Sequence, residues 1–237
     1  MYHSITFGDK NTWDDWFLVP SSRPVFNPPT PKTTYIDIPG ADGQLDMTQA
    51  LTGEVTYEPR KGSIEFIVDN WHREWYELYS EIMDYLHGQT IRAVLEDDPA
   101  HYYEGRFTVN QWKSEPVNSK IVIDYIVHPY KFDLYSSLDD WEWDTFNFES
   151  GVIREYKDLT VNAILPVDII GSRKPVIPAF IVETHDGNGM LVEYNGAIYI
   201  LPDGTSKTTS IIIRDGESIL TFIGYGTVSI DYRGGRL

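Results

Sequence analysis

The chain has no cysteine among its 237 residues. Disulfides and thiolate metal sites are therefore excluded, and the fold rests on packing and hydrogen bonds alone. Basic residues are scarce as well: 19 Lys and Arg stand against 36 Asp and Glu, for a formal charge of −17. A chain so acidic is unsuited to holding nucleic acid by neutralising phosphates, and sequence-specific nucleic-acid binding is not expected. No stretch approaches the roughly 20 apolar residues of a membrane-spanning helix. The N-terminal residues Met1-Tyr2-His3-Ser4-Ile5 do not join a basic region to an apolar run, so neither a secretory signal nor a membrane partner is expected.

The signatures of catalysis are missing too. The six histidines (His3, His72, His87, His101, His128 and His185) show no HxH, HxxxH or HExxH spacing, and each reads as a surface or turn residue. There is no GxSxG, and Gly224-Tyr225-Gly226 lacks the third glycine and the strand-to-helix context of a dinucleotide loop. Asp186-Gly187-Asn188-Gly189 begins like a calcium loop, but Leu191 stands where its glycine belongs and Ala197 where its closing acid belongs. These readings imply no catalytic residue, no metal and no cofactor. Paired carboxylates for glycoside hydrolysis remain open in so acidic a chain, as a signal without specificity. Asp139, Asp140, Glu142 and Asp144 around Trp141 and Trp143 read either as a sugar-binding cleft or as an acidic, aromatic linker.

Aromatic residues are abundant, at 14% with 16 Tyr and 7 Trp, and they favour strands and amphipathic contact surfaces. The clearest helical signal covers residues 71–87, where Trp71, Trp75, Leu78, Tyr79, Ile82 and Leu86 fall on one face. Asp69 and Asn70 offer N-cap oxygens, and Gly88 suits the left-handed position beyond the C-terminus. Strands are expected at residues 54–57, 63–68, 91–95, 103–109 and 120–127, with a turn at Asp97-Asp98-Pro99. The fold class is mainly β. An N-terminal α+β domain, residues 1–133, carries an antiparallel sheet with one helix and a projecting arm at residues 28–60. A C-terminal β-sandwich, galectin-like or jelly-roll-like, follows at residues 134–237 after a connector that begins near Leu134. Its short strands are separated by Asp186-Gly187, Asn188-Gly189, Asn195-Gly196, Asp203-Gly204 and Asp215-Gly216, of which Asn195-Gly196 is the best two-residue hairpin turn.

The least ordinary segment is YIDIPGADGQLDMTQALTG, residues 35–53, which follows Pro28-Pro29-Thr30-Pro31-Lys32. Its apolar residues are too sparse for a core strand. Two readings stand: a surface loop, or an arm whose Tyr35, Ile36, Ile38, Leu45, Met47 and Leu51 are buried against a neighbouring subunit. This segment resembles the arm of the distal tail proteins (Dit) of long-tailed, non-contractile bacteriophages. Residues 96–107 (EDDPAHYYEGRF) are similar to that family's turn and strand after the helix. His128-Pro129-Tyr130-Lys131 and the C-terminal residues 224–237 are also similar to the family, so the likeness spans essentially the whole chain.

The resemblance implies a viral structural protein of the siphophage tail tip or baseplate, not an enzyme. It implies a homohexameric ring at the distal end of the virion tail, assembled in the host cytoplasm, with the arm closing the ring. The implied partners are the tail tube (major tail) protein on one face and the tail-associated hub protein on the other, with receptor-binding or baseplate proteins outside. The ring would thereby serve the host-adsorption apparatus. Two other classes fit the residues: a carbohydrate-binding module recognising host cell-wall glycans, and a tail-tip cell-wall hydrolase.

Overall fold

The structure is a computed structural model describing residues 2–50, 52–69, 74–113, 119–139, 155–185 and 187–237. It divides into two compact units: Met1–Asp98, Tyr102–Lys131 and Leu237 in unit 1, and Pro99–His101 and Phe132–Arg236 in unit 2. The fold is mainly β, with one helix among the described residues.

Unit 1 contains β1 (Ile5–Phe7), β2 (Lys10–Asn11), β3 (Leu18–Pro20), β4 (Tyr35–Asp37), β5 (Gln44–Asp46), β6 (Arg60–Val68), α1 (Trp75–Leu86), β7 (Thr90–Leu95), most of β8 (Asp98–Lys113), whose Pro99–His101 belong to unit 2, and β9 (Lys120–Val127). Seven of its strands form an antiparallel sheet in the order β2-β1-β7-β8-β9-β6-β3. Strand periodicity accounts for its buried face: Ile121, Ile123, Tyr125 and Val127 alternate along β9, and Ile64 and Phe66 do so along β6. The helix covers that face through Leu78, Ile82 and Leu86, spaced one turn apart, and they join one core with Phe7, Trp16, Phe66 and Phe107. Burying three such side chains contributes roughly 6 kcal/mol, before conformational entropy is subtracted. Trp75 and Tyr79 stand edge-on to Trp112. They are core-packing residues, as the helical spacing implies.

Several local expectations need correction. The described part of the helix starts at Trp75 with Glu74 as N-cap, and the Asp69 N–H donates to Phe17 O. Asn70, Trp71 and His72 lie outside the described residues. Gly88 does take positive φ after the C-terminus, at +75°. Residues 54–57 form no strand, only an isolated bridge at Tyr57, because their partner is a proline-rich stretch poor in donors. The turn lies at Glu96-Asp97 and not at Asp97-Asp98-Pro99, because Leu95 pairs with Asp98. Pro99 stands near the start of β8, where a missing N–H is tolerated. His101 is buried in β8, with Nε2 3.5 Å from an Asp133 oxygen, so it is no surface histidine.

In unit 2, β10 (Lys131–Asp133) pairs with β17 (Gly235–Arg236), and the main sheet is built from β11 (Leu159–Ile170), β12 (Ala179–Thr184), β13 (Met190–Tyr194), β14 (Ala197–Leu201), β15 (Gly204–Lys207) and β16 (Glu217–Asp231). The strands are not uniformly short: β16 is 15 residues long and pairs with β11 along 12 of them. Its other edge is shared, with residues 221–223 pairing β13 and residues 226–231 pairing β12. At the changeover Gly226 has φ +151°, and a Cβ there would lie 2.2 Å from Glu183 O. Only glycine allows the two backbones to approach so closely. Leu220, Phe222, Val228 and Ile230 of β16 bury one face with Phe180, Val182, Val192 and Leu201, which gives the sandwich-like core. Asn195 and Gly196, at φ +51° and +77°, close the β13–β14 hairpin as their sequence predicts.

Candidate functional site: the projecting arm

The arm begins where prolines make sheet pairing difficult. Pro28, Pro29 and Pro31 lack the N–H of an interior strand, so this stretch forms only a narrow ribbon. Its stem is closed by Lys32 N–H to Thr56 O and Glu58 N–H to Thr30 O, both 2.8 Å, and by a Lys32–Glu58 ion pair at 3.7 Å. Beyond the stem, β4 and β5 pair with each other as a two-stranded sheet separate from the large sheet. Met47 N–H donates to Thr34 O and extends this ladder. The Asp46 carboxylate accepts from the Thr48 N–H, and its contacts with the Thr48 hydroxyl and N–H hold its pKa below the usual aspartate value.

The register sorts the side chains. Ile36 lies opposite Leu45, and Ile38 and Met47, each two residues further along, continue the same face by strand periodicity. Tyr35 opposite Asp46 and Asp37 opposite Gln44 form the other face, where Gln44 Nε2 donates to Asp37 Oδ1 at 2.8 Å. The expected interface residues are therefore not equivalent. Ile36, Ile38, Leu45 and Met47 come together, Tyr35 stands on the opposite, polar face, and Leu51 lies outside the described residues. All five described residues remain solvent-exposed: Tyr35 at 53%, Ile36, Ile38 and Leu45 at 47%, and Met47 at 36%. An isolated two-stranded ribbon is marginally stable at best in water, and this one has an apolar face that stays exposed among the described residues.

Unit 2 carries a second exposed apolar surface, which the sequence reading did not anticipate. Ile200, Leu191, Ile223 and Ile164 are paired in register across β14, β13, β16 and β11, on the face turned away from the core. Tyr225 lies on the same face two residues from Ile223. The period-two pattern of each strand held this signal, but only the strand register aligns the four aliphatic residues into one row.

Among the described residues no cluster of three or more His, Asp or Glu residues could hold a metal ion, and no helix is long and apolar enough to cross a membrane. Of the acidic, aromatic segment, Asp139 accepts from the Ser136 N–H and lies 3.7 Å from Arg233, while Asp140, Trp141, Glu142, Trp143 and Asp144 lie outside the described residues. Asp186 of the calcium-loop-like sequence also lies outside them.

No protein-family model matches the chain, and no curated protein is matched. Among solved structures, the crystal structure of the Dit protein of phage SPP1 matches with a TM-score of 0.63 over 99% of each chain, at 13% sequence identity. The fold is Dit-like. That structure is described as a paradigm of the hub adsorption apparatus in phages infecting Gram-positive bacteria. The match runs the length of both chains.

Proposed function

We propose that the chain is a structural component of a bacteriophage tail tip or baseplate, without catalytic activity. Six copies form a ring at the distal end of the virion tail that connects the tail tube to the tail-associated hub and the host-adsorption apparatus. The observation that carries this reading is the arm: on a Dit-like fold, a ribbon gathers Ile36, Ile38, Leu45 and Met47 on one exposed face. A second copy of the chain would provide the missing cover. Contacts of this kind, arm on one side and receiving surface on the other, are heterologous and close into a ring when the rotation between neighbours permits. The net charge of −17 suits a channel that lets DNA pass without binding it.

The aliphatic row of unit 2 supports a protein partner for its outer face over a cell-wall glycan. Small-ligand sites combine concavity with convergent polar groups, whereas Ile200, Leu191, Ile223 and Ile164 form an unbroken aliphatic row across four strands of a sheet. Antibodies raised against the chain and applied to purified tails should decorate the distal end in electron micrographs. Label along the tube or on the head would refute the placement, and hydrolysis of purified cell wall by the chain would refute its structural role.

A further inference from the structure

The arm leaves unit 1 after Asn27 and returns at Arg60, and the two ends are fastened by one buried guanidinium. Arg60 is 5% exposed. Its Nε donates to Pro129 O at 2.8 Å, and its Nη1 donates to Asn27 O at 3.1 Å and to Phe26 O at 3.4 Å. The guanidinium carbon sits 5.5 Å from the centre of the Tyr103 ring. Among the described residues no carboxylate is paired with it, and burial pushes its pKa down. A buried cation costs several kcal/mol in desolvation, which its hydrogen bonds must offset. Here they satisfy three carbonyls from separate stretches: the departing leg of the arm and the segment after β9, both fastened to the first residue of β6.

The surroundings reinforce this junction. Phe26 is buried, stacked on Tyr103 with ring centres 4.1 Å apart and edge-on to Tyr125 at 4.7 Å. Asn27 N–H donates to the Tyr125 hydroxyl at 2.9 Å, and Asn27 Nδ2 donates to Lys61 O at 2.8 Å. Gly62 leaves room for both partners, since a Cβ there would lie 2.4 Å from the Tyr125 hydroxyl and 2.6 Å from Asn27 Nδ2. Such convergence is unnecessary for a loop that merely covers surface. It suits a lever whose far end must arrive at a fixed place.

We propose that Arg60 is the positioning residue of the arm, setting the direction in which residues 28–59 leave the domain, so that assembly depends on a side chain that is itself buried within one copy. This rests on the reading of the arm as the ring-closing element. The guanidinium fork is required, because a lysine ammonium is a point donor that cannot span carbonyls on two sides in a fixed plane.

The test exploits the absence of cysteine. Ala41→Cys at the arm tip and Asn110→Cys on β8 accept nitroxide labels, and pulsed electron resonance on labelled chain diluted with unlabelled chain reads the distance distribution between them. The expected result is a narrow distribution for the parent, at least twofold broader in Arg60→Met and intermediate in Arg60→Lys. The concentration needed for assembly should rise at least tenfold in Arg60→Met. An unchanged width in Arg60→Met, or a broad distribution already in the parent, overturns the proposal. A broadened arm with undiminished assembly overturns its link to the ring. If Arg60→Met fails to fold, Arg60→Lys decides by the same two readings. A parent that never assembles refutes the ring while the distances still judge Arg60, so the two failures are distinguishable.

Discussion

Replacing Ile36 and Leu45 together by serine should weaken assembly without unfolding the chain. The two residues face each other across the arm, each with 47% of its surface still exposed. Burying a whole aliphatic side chain stabilises by roughly 2 kcal/mol, so the half still exposed in the single chain is worth about 1 kcal/mol per residue. The pair thus contributes about 2 kcal/mol to each subunit contact, or about 30-fold in its association constant. Every protomer of a ring gives one arm and receives one, so each contact is weakened equally. Sedimentation velocity over a dilution series reads the effect as a shift of the dissociation midpoint to higher concentration. The melting temperature of the dissociated chain should stay within about 2 °C, because surface substitutions away from special features usually change stability by less than 0.5 kcal/mol. A midpoint within threefold of the parent would refute the reasoning, since it would mean that the apolar face of the arm is not buried on assembly.

Other perturbations test the fold that carries the arm. Ile82→Ala empties a fully buried position between helix and sheet and should cost roughly 2–5 kcal/mol, seen as a melting transition lower by about 10 °C for unit 1. Gly226→Ala drives a methyl group against Glu183 O and should destabilise unit 2 by at least 1 kcal/mol in urea denaturation, while leaving the unit 1 transition in place. Asp97 is hydrogen-bonded to His3 and Arg23, and these contacts lower its pKa below 3.8 in the folded state. The unfolded chain binds that proton more readily, so the stabilisation is complete above about pH 4 and is lost as pH falls through the depressed value. Asp97→Asn should accordingly flatten the acid limb of a stability–pH curve, and an unchanged limb would remove Asp97 from its causes.

Much of this was legible in the sequence. The helix face Leu78, Ile82 and Leu86, the strand at Lys120–Val127 and the Asn195-Gly196 hairpin followed from local period and turn chemistry, which tertiary packing did not override. The Glu96-Asp97 turn and the length of β16 did not, because each is set by strand pairing that local sequence does not record. Residues 35–53 were legible as too sparse in apolar residues for a core strand, which left both a surface loop and an arm open. The sidedness of the arm was not: Tyr35 could be separated from Ile36, Ile38, Leu45 and Met47 only once the register of β4 and β5 was known. Arg60 was invisible as a site residue, because a lone arginine at a strand start carries no signal until its three carbonyl partners are brought around it.

The most direct test is the mass of the assembled protein. Native mass spectrometry of the full chain at micromolar concentration should find six copies in a single species, with the Ile36→Ser, Leu45→Ser chain dissociating at concentrations where the parent does not. A chain that remains monomeric up to the highest concentration measured, or that forms open-ended oligomers with no closed species, would contradict the ring.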